Sequence, residues 1–290
     1  MKNLNKISVV GMGLLGASVS LSIKRDLPGC CVVGYSHRLE TREKARQNGL
    51  ATEIADTLRQ AVENADIVIL ATPIMTFADY FARMAPDLKP GAVVTDVGST
   101  KSLPHQWAAE KLPKGVHYVG SHPIAGSEKR GLEYARDDLL TGAACIVTKT
   151  AGTHAASVSL LEQFWTRLGC FVQVMSPRRH DNIFGRVSHL PHITAAALVN
   201  ANHPRDLEFA GRGFIDTTRV ASGPANVWSD ILMTNAPTCL EGIDALIAQL
   251  QVIRKAVESG DEKKLMRLLE QAAHKRSKMI QHKIEQKELF

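Results

Sequence analysis

Short runs of consecutive apolar, often β-branched residues recur through the first 175 positions, at 7–10, 31–35, 67–71, 92–97, 116–119, 144–147 and 171–174. Between most of them lie stretches with helical spacing of apolar residues, such as 15–25 and 39–48. Strands that are apolar on both faces and alternate with helices predict a parallel sheet covered on both sides. From about Ser176 the strand signal stops, and 179–200, 224–234, 238–259 and 261–287 read as helices. Pro191 should kink the first of these, because it lacks a backbone donor and its ring crowds the preceding turn. Gly260 reads as the end of one helix and Asp261 as the cap of the next. The pattern predicts two domains, 1–175 with the sheet and 176–290 all-helical.

Composition narrows the class. A chain of 290 residues that is 44% hydrophobic and 22% charged is neither disordered, collagenous nor a coiled-coil rod. No apolar run approaches the length of a membrane span, and the N-terminus lacks the apolar stretch of a signal peptide. The five cysteines are odd in number and show no CxxC spacing, which suits reduced thiols in the cytoplasm. The net charge of +6 is partly carried by 274–278 and Lys283. Aromatic residues are 5% of the chain and are not interleaved with that run, so it reads as a solvated helix face rather than a nucleic-acid surface. A basic protein of this kind suits anionic metabolites.

The candidate chemistry begins at Gly11-Met12-Gly13-Leu14-Leu15-Gly16, a GxGxxG that follows the first strand and opens a helix. In that setting Gly11 permits the tight turn, Gly13 lets a pyrophosphate approach the backbone, and Gly16 lets helix and strand pack closely. The N–H groups of Leu14, Leu15 and their neighbours at the helix start then face the anion. The second strand ends in Ser36-His37-Arg38 rather than in an acid. A carboxylate there would bind a free ribose 2′-hydroxyl, whereas a hydroxyl and a guanidinium suit a 2′-phosphate, so NADP is expected over NAD. Thr72-Pro73 follows the third strand and Ser99 and Lys101 follow the fourth, all at carboxyl ends where such sheets bind ligands; Thr100 and Lys101 read equally as a helix cap and a surface charge.

His122, in Gly120-Ser121-His122-Pro123, follows the fifth strand and is placed to act as a general base near neutral pH. At 100° per residue, Asp181, Ser188 and His192 share one face of their helix, His180 sits about 100° from Asp181, and His189 points elsewhere. His189 and His192 lack a third ligand at a metal-like spacing, so no metal is expected. Arg219 lies between helical stretches and can fork onto a carboxylate, or pair with an acid of the protein itself.

Taken in order, GMGLLGAS, DVGSTK, GSHPIAGSE, HDNIFGRVSHLPH and GFIDTTRVASGPANVW resemble the prephenate and arogenate dehydrogenases of tyrosine biosynthesis, over nearly the whole chain. The resemblance implies an α/β Rossmann-type dinucleotide-binding domain followed by an all-α helical dimerisation domain, and hence a homodimer. It implies oxidative decarboxylation, with hydride leaving ring C4, the C4 hydroxyl losing its proton and CO2 departing as the ring aromatises. His122 then matches the acceptor of the hydroxyl proton, and Ser99 a hydrogen-bond partner of the same hydroxyl. Arg219 matches the binder of the substrate carboxylate, and His192 and Ser188 residues lining the pocket. Glu128 matches an acid near the entrance, and Trp228 an aromatic supplied to a neighbouring subunit. His180 and Asp181 are expected to shape the site. The missing acid after the second strand departs from the NAD pattern, and no room is left after the helical region for the regulatory domain of some relatives. The uncharged segment 222–226 near Arg219 favours prephenate over arogenate, whose ammonium calls for a carboxylate such as Asp216 or Asp230. Two other classes are weaker. A β-hydroxyacid dehydrogenase needs a helical catalytic Lys, and a non-catalytic NADP-binding sensor has no need of His122, Ser99 and Arg219 together.

Overall fold

The structure, a computed structural model, describes residues 4–125 and 131–285. Strands β1 (Lys6–Val10), β2 (Cys31–Tyr35), β3 (Glu53–Ile54), β4 (Ile67–Leu70), β5 (Val93–Asp96) and β6 (His117–Tyr118) form one sheet in the order β3-β2-β1-β4-β5-β6. Every neighbouring pair in it is parallel. The connections carry helices α1 (Leu14–Asp26), α2 (Leu39–Gln47), α3 (Leu58–Val62), α4 (Phe77–Met84) and α5 (Ser102–Lys111). Alternation along each strand serves two cores. Ile7, Val9, Ile67 and Ile69 pack on one face with Ala17 and Ile23 of α1. Val10, Val68, Leu70 and Val94 pack on the other with Phe77, Phe81 and Met84 of α4. The order reverses between β1 and β4, which opens the crevice where dinucleotides bind in doubly wound sheets.

A second sheet departs from the all-parallel expectation. Strands β7 (Gly120–Pro123), β8 (Ala144–Thr148) and β9 (Phe171–Met175) pair in that order, β7 antiparallel to β8 and β8 parallel to β9, with helix α6 (Ala155–Arg167) as the crossover. His122 therefore lies inside a strand, opposite Ile146, and not in a loop after the fifth strand. Gly-Ser-His-Pro has no strand-like pattern of its own. Its partner strand and the buried Ser121 hold it: the Ser121 hydroxyl lies 2.8 Å from Thr95 Oγ1 and accepts the Trp165 indole N–H at 2.9 Å. β3 also escapes sequence pattern, because two residues on an edge leave no apolar run.

After β9 the chain is helical: α7 (Pro177–Phe184), α8 (Leu190–Asn200), α9 (Pro204–Leu207), α10 (Arg212–Thr218), α11 (Ala225–Thr234), α12 (Ala236–Glu258) and α13 (Glu262–Glu285). The kink expected at Pro191 is a π-helical turn, Gly185–His189, between α7 and α8. A wider turn there accommodates the ring of Pro191, which would otherwise meet the carbonyl of residue 187. By density of contacts the chain divides into two compact units, Met1–Cys239 and Leu240–Phe290. In the second, Gly260 takes φ +64°, and Asp261 Oδ1 accepts the Lys264 N–H at 2.9 Å, as the C-cap and N-cap expected there. No helix among the described residues is long and apolar enough to cross a membrane.

Candidate active site

The glycine loop between β1 and α1 is built by backbone proximity. Gly11 has φ +109°, and a Cβ there would lie 2.5 Å from the carbonyl of Ala71 on β4's extension. A Cβ on Gly16 would lie 1.9 Å from the Gly11 oxygen. A Cβ on Gly13 would meet nothing within 4 Å. Two glycines thus close the turn, and the third leaves open space over the start of α1, whose first turn carries no acidic side chain. The first N–H groups of a helix lack intrahelical partners and favour anions. The residues present therefore fit a dinucleotide pyrophosphate, with Gly13, Leu14, Leu15 and Gly16 as its backbone cradle. At the next strand end, Thr76 Oγ1 donates to the Pro73 carbonyl at 2.6 Å and accepts from the Thr72 hydroxyl at 2.8 Å, so the turn after β4 is held rigid beside the loop.

The end of β2 is organised by a residue that belongs to no sequence motif. Arg42, one turn into α2, donates from Nη1 to the carbonyls of Ser36 at 2.8 Å and His37 at 3.2 Å. Ser36 is buried and its hydroxyl accepts the Arg38 N–H at 3.3 Å, while His37 and Arg38 are exposed. The Ser36 hydroxyl keeps its proton for donation, and no carboxylate stands between positions 35 and 38.

The second constellation joins β7, the β5–α5 loop and α7. His122 Nδ1 lies 2.8 Å from His180 Nε2, and His180 Nδ1 lies 2.8 Å from Asp181 Oδ1. Asp181 also caps α5, accepting the N–H groups of Lys101 at 2.8 Å and Ser102 at 2.7 Å. The 100° between successive helix positions explains the split, with His180 facing β7 and Asp181 facing α5. The Phe184 ring packs against both imidazoles. Lys101 is fully buried and ion-paired with buried Asp96, whose other oxygen accepts the Tyr118 hydroxyl at 2.5 Å. It is not a surface charge. Burial first, then the neighbouring His180 and the Lys101 ammonium, hold His122 neutral far below the ordinary imidazole range. Burial likewise lowers His180, against the pull of Asp181. Burial works to raise the Asp181 pKa, but hydrogen bonds from His180 and Ser102 leave it lowered. The cluster thus holds a neutral base beside fixed, compensated charges.

The remaining candidates fall in separate places. Ser99 is half-buried two residues before Lys101, in the loop that Asp181 and Asp96 hold. His192 on α8 is buried and stacks on Trp228 of α11 of the same chain, ring centroids 3.6 Å apart at 9°. His192 Nδ1 is buried without a hydrogen-bond partner among the described residues. Ser188 lies half-buried in the π turn, which breaks the 100° register assumed between Asp181 and His192. Arg219 is exposed at the head of the turn Arg219–Ser222, with no carboxylate in ion-pair range among the described residues. Glu128 lies outside the described residues. No group of three or more His, Cys, Asp or Glu that could hold a metal occurs among the described residues.

Two family models match successive stretches of the chain. Residues 19–174 match the model of the prephenate dehydrogenase nucleotide-binding domain, and 176–271 that of the prephenate dehydrogenase dimerization domain. A prephenate dehydrogenase of Bacillus subtilis is 34% identical over 273 residues, 92% of this chain and 74% of that protein. A cyclohexadienyl dehydrogenase of Zymomonas mobilis is 31% identical over 262 residues, 88% of this chain and 89% of its own length. A crystal structure of prephenate dehydrogenase from A. aeolicus, in complex with hydroxyphenyl propionate and NAD+, superposes with TM-score 0.88 at 32% identity, covering 95% of this chain and 98% of the other. With a parallel sheet ordered for a dinucleotide, a glycine cradle at its switch point and both domain models matched in order, the chain belongs to the prephenate dehydrogenase family and is an oxidoreductase of the prephenate/arogenate dehydrogenase kind.

Proposed function

We propose that this chain oxidatively decarboxylates prephenate to 4-hydroxyphenylpyruvate with NADP preferred over NAD, working as a homodimer in the cytoplasm. The observation that carries the reading is His122, neutral and half-buried on β7, backed by His180 and Asp181. His122 accepts the proton of the substrate C4 hydroxyl, and Ser99 hydrogen-bonds the same oxygen. Arg219, unpaired by any described carboxylate, binds the substrate carboxylate by its planar fork. His192, with its buried Nδ1 lacking a partner among the described residues, lines the pocket together with Ser188 and Trp228, and Glu128, outside those residues, is the match for the family's entrance acid. A dinucleotide held by the 11–16 loop would supply the acceptor for the C4 hydride. Loss of CO2 makes the ring aromatic, so the chain's residues mainly orient the substrate and hold the proton.

The working division is at residue 175, with 1–175 binding the cofactor and 176–290 supplying substrate contacts and the dimer surface. Exposed Leu240, Leu250, Val257, Met266 and Leu269 on α12 and α13 favour a partner for this half. The 2′-phosphate is read by the Ser36 hydroxyl and Arg38, with His37 beside them. A charge-assisted bond is worth roughly 1.5–3 kcal/mol, so a preference for NADP of about tenfold to a hundredfold is expected. Arogenate is the second reading, favoured by the cyclohexadienyl dehydrogenase likeness and by Asp216 and Asp230, which flank Arg219 in the sequence. The test crosses prephenate and arogenate with NAD and NADP, following absorbance at 340 nm. Absence of turnover with all four pairs removes the function. Equal kcat/KM with the two cofactors, or no reversal toward NAD in Ser36→Asp, removes the role of Ser36 and Arg38.

A further inference from the structure

Proton uptake by His122 requires that a lone pair, and not an N–H, face the substrate. Which imidazole nitrogen carries the proton is set by the bond the other nitrogen makes. Here three groups in series decide it. The Asp181 carboxylate only accepts, and it already accepts two backbone N–H groups of the α5 start, so its negative charge is fixed in place. His180 Nδ1, 2.8 Å from Asp181 Oδ1, must then be the protonated nitrogen of that ring. A neutral His180 consequently offers a lone pair at Nε2, 2.8 Å from His122 Nδ1. His122 Nδ1 donates into it, and the lone pair of His122 falls on Nε2.

We propose that His180 and Asp181 are positioning residues that hold His122 as its Nδ1–H tautomer and stabilise the imidazolium formed when it takes the substrate proton. This rests on the dehydrogenase reading above. In the step itself the substrate O–H bond breaks and an N–H bond forms at His122 Nε2. The Nδ1 proton stays in its bond to His180, and the new positive charge is balanced through His180 by Asp181. Both groups are almost wholly buried, so no water competes for these bonds, and the Phe184 ring packs against both imidazoles. The arrangement follows the same logic as a hydrolase triad, in which an acid sets the tautomer of the base, with one further imidazole inserted.

The test compares two substitutions that each keep one half of the relay. In His180→Gln the amide reaches the place of Nε2 and still accepts from His122, while the bond to Asp181 is lost. In His180→Asn the amide reaches only the place of Nδ1, keeping Asp181 and abandoning His122. Expected is a kcat within about tenfold of the parent for Gln and about 10²–10³ lower for Asn, within the range of a general base's worth, with cofactor KM unchanged in both. Equal losses, or Asn the more active, overturn the proposal, since a merely structural anchor for Asp181 favours Asn. A second readout needs no activity. In the unsubstituted protein labelled with ¹⁵N-histidine, the relay requires His122 Nδ1 protonated and Nε2 bare, and the opposite tautomer overturns it. A parent enzyme inactive on prephenate and arogenate defeats the dehydrogenase reading, while the tautomer measurement still decides the relay.

Discussion

The glycine loop and the histidine cluster solve different problems. The loop at 11–16 works through backbone alone: what matters is which positions lack a Cβ, and six consecutive residues hold all of it. The cluster works through side chains drawn from β7, α7 and the β5–α5 loop, with His122 and His180 58 positions apart. A loop of the first kind tolerates little steric change and is indifferent to protons. A cluster of the second kind tolerates shape changes on its far side but depends on protonation and tautomer. The difference predicts that cofactor binding and proton transfer are separable in this chain, and four measurements can break or sharpen the separation.

The largest effect is expected at the base. His122→Asn should fold and bind cofactor normally while kcat falls by about 10²–10⁴. Near-normal turnover between pH 6 and 9 would remove His122 from the chemistry.

Acid should act on the cluster and spare the loop. His122 and His180 are lowered by burial, and His105 and His189 are each lowered to about 4 by burial. The sign follows from linkage. These groups are neutral when folded and take up protons near 6.5 when unfolded, so stability is complete above about pH 6.5 and is lost as pH falls toward the folded values. Each contributes a loss of roughly 1.4 kcal/mol per pH unit in that window. Urea unfolding at pH 7 and pH 5 measures it; a midpoint unchanged between them contradicts the buried neutral state.

The glycines should separate stability from affinity. Gly16→Ala pushes a Cβ onto the Gly11 carbonyl and must displace backbone, costing about 1–3 kcal/mol and weakening cofactor binding together. Gly13→Ala meets nothing in the protein, so the melting temperature should hold while cofactor KM rises. Parallel losses in both variants would mean that Gly13 is needed for the fold rather than for a ligand.

The smallest effect is expected at Arg219. Arg219→Lys keeps the charge but loses the planar fork, and KM for substrate should rise by about tenfold, one strong hydrogen bond's worth, with kcat little changed. A lowered melting temperature with unchanged KM would give Arg219 a structural role instead.

How much was legible follows the same line. Five of the six strands of the first sheet, the glycine loop and the helix ends at Gly260 and Asp261 all stand in short stretches of sequence. β7 did not, because Gly-Ser-His-Pro becomes a strand only by pairing with β8 and by the bonds of Ser121 to Thr95 and Trp165. Lys101 read as surface or site, since nothing local announces that Asp96 buries with it. Arg42 carried no motif; its role is visible only where its guanidinium grips the carbonyls of Ser36 and His37. The face shared by Asp181, Ser188 and His192 assumed one continuous α-helix, and the π turn before Pro191 changes the register between them.

The sequence by itself determined the alternation of strands and helices, the backbone freedom of the cofactor loop and the absence of an acid after β2. Each of these depends on residues within one or two turns of each other, where sterics and hydrogen bonding are local. Tertiary structure alone decided which histidine stands behind His122, which charge is buried against Asp96, and which nitrogen of the base is left bare. Those outcomes depend on the distances and burial created when α7 packs against β7 and α5, because the energy of a proton or an ion pair in a dry interior is set by its neighbours in space and not by its neighbours in the chain.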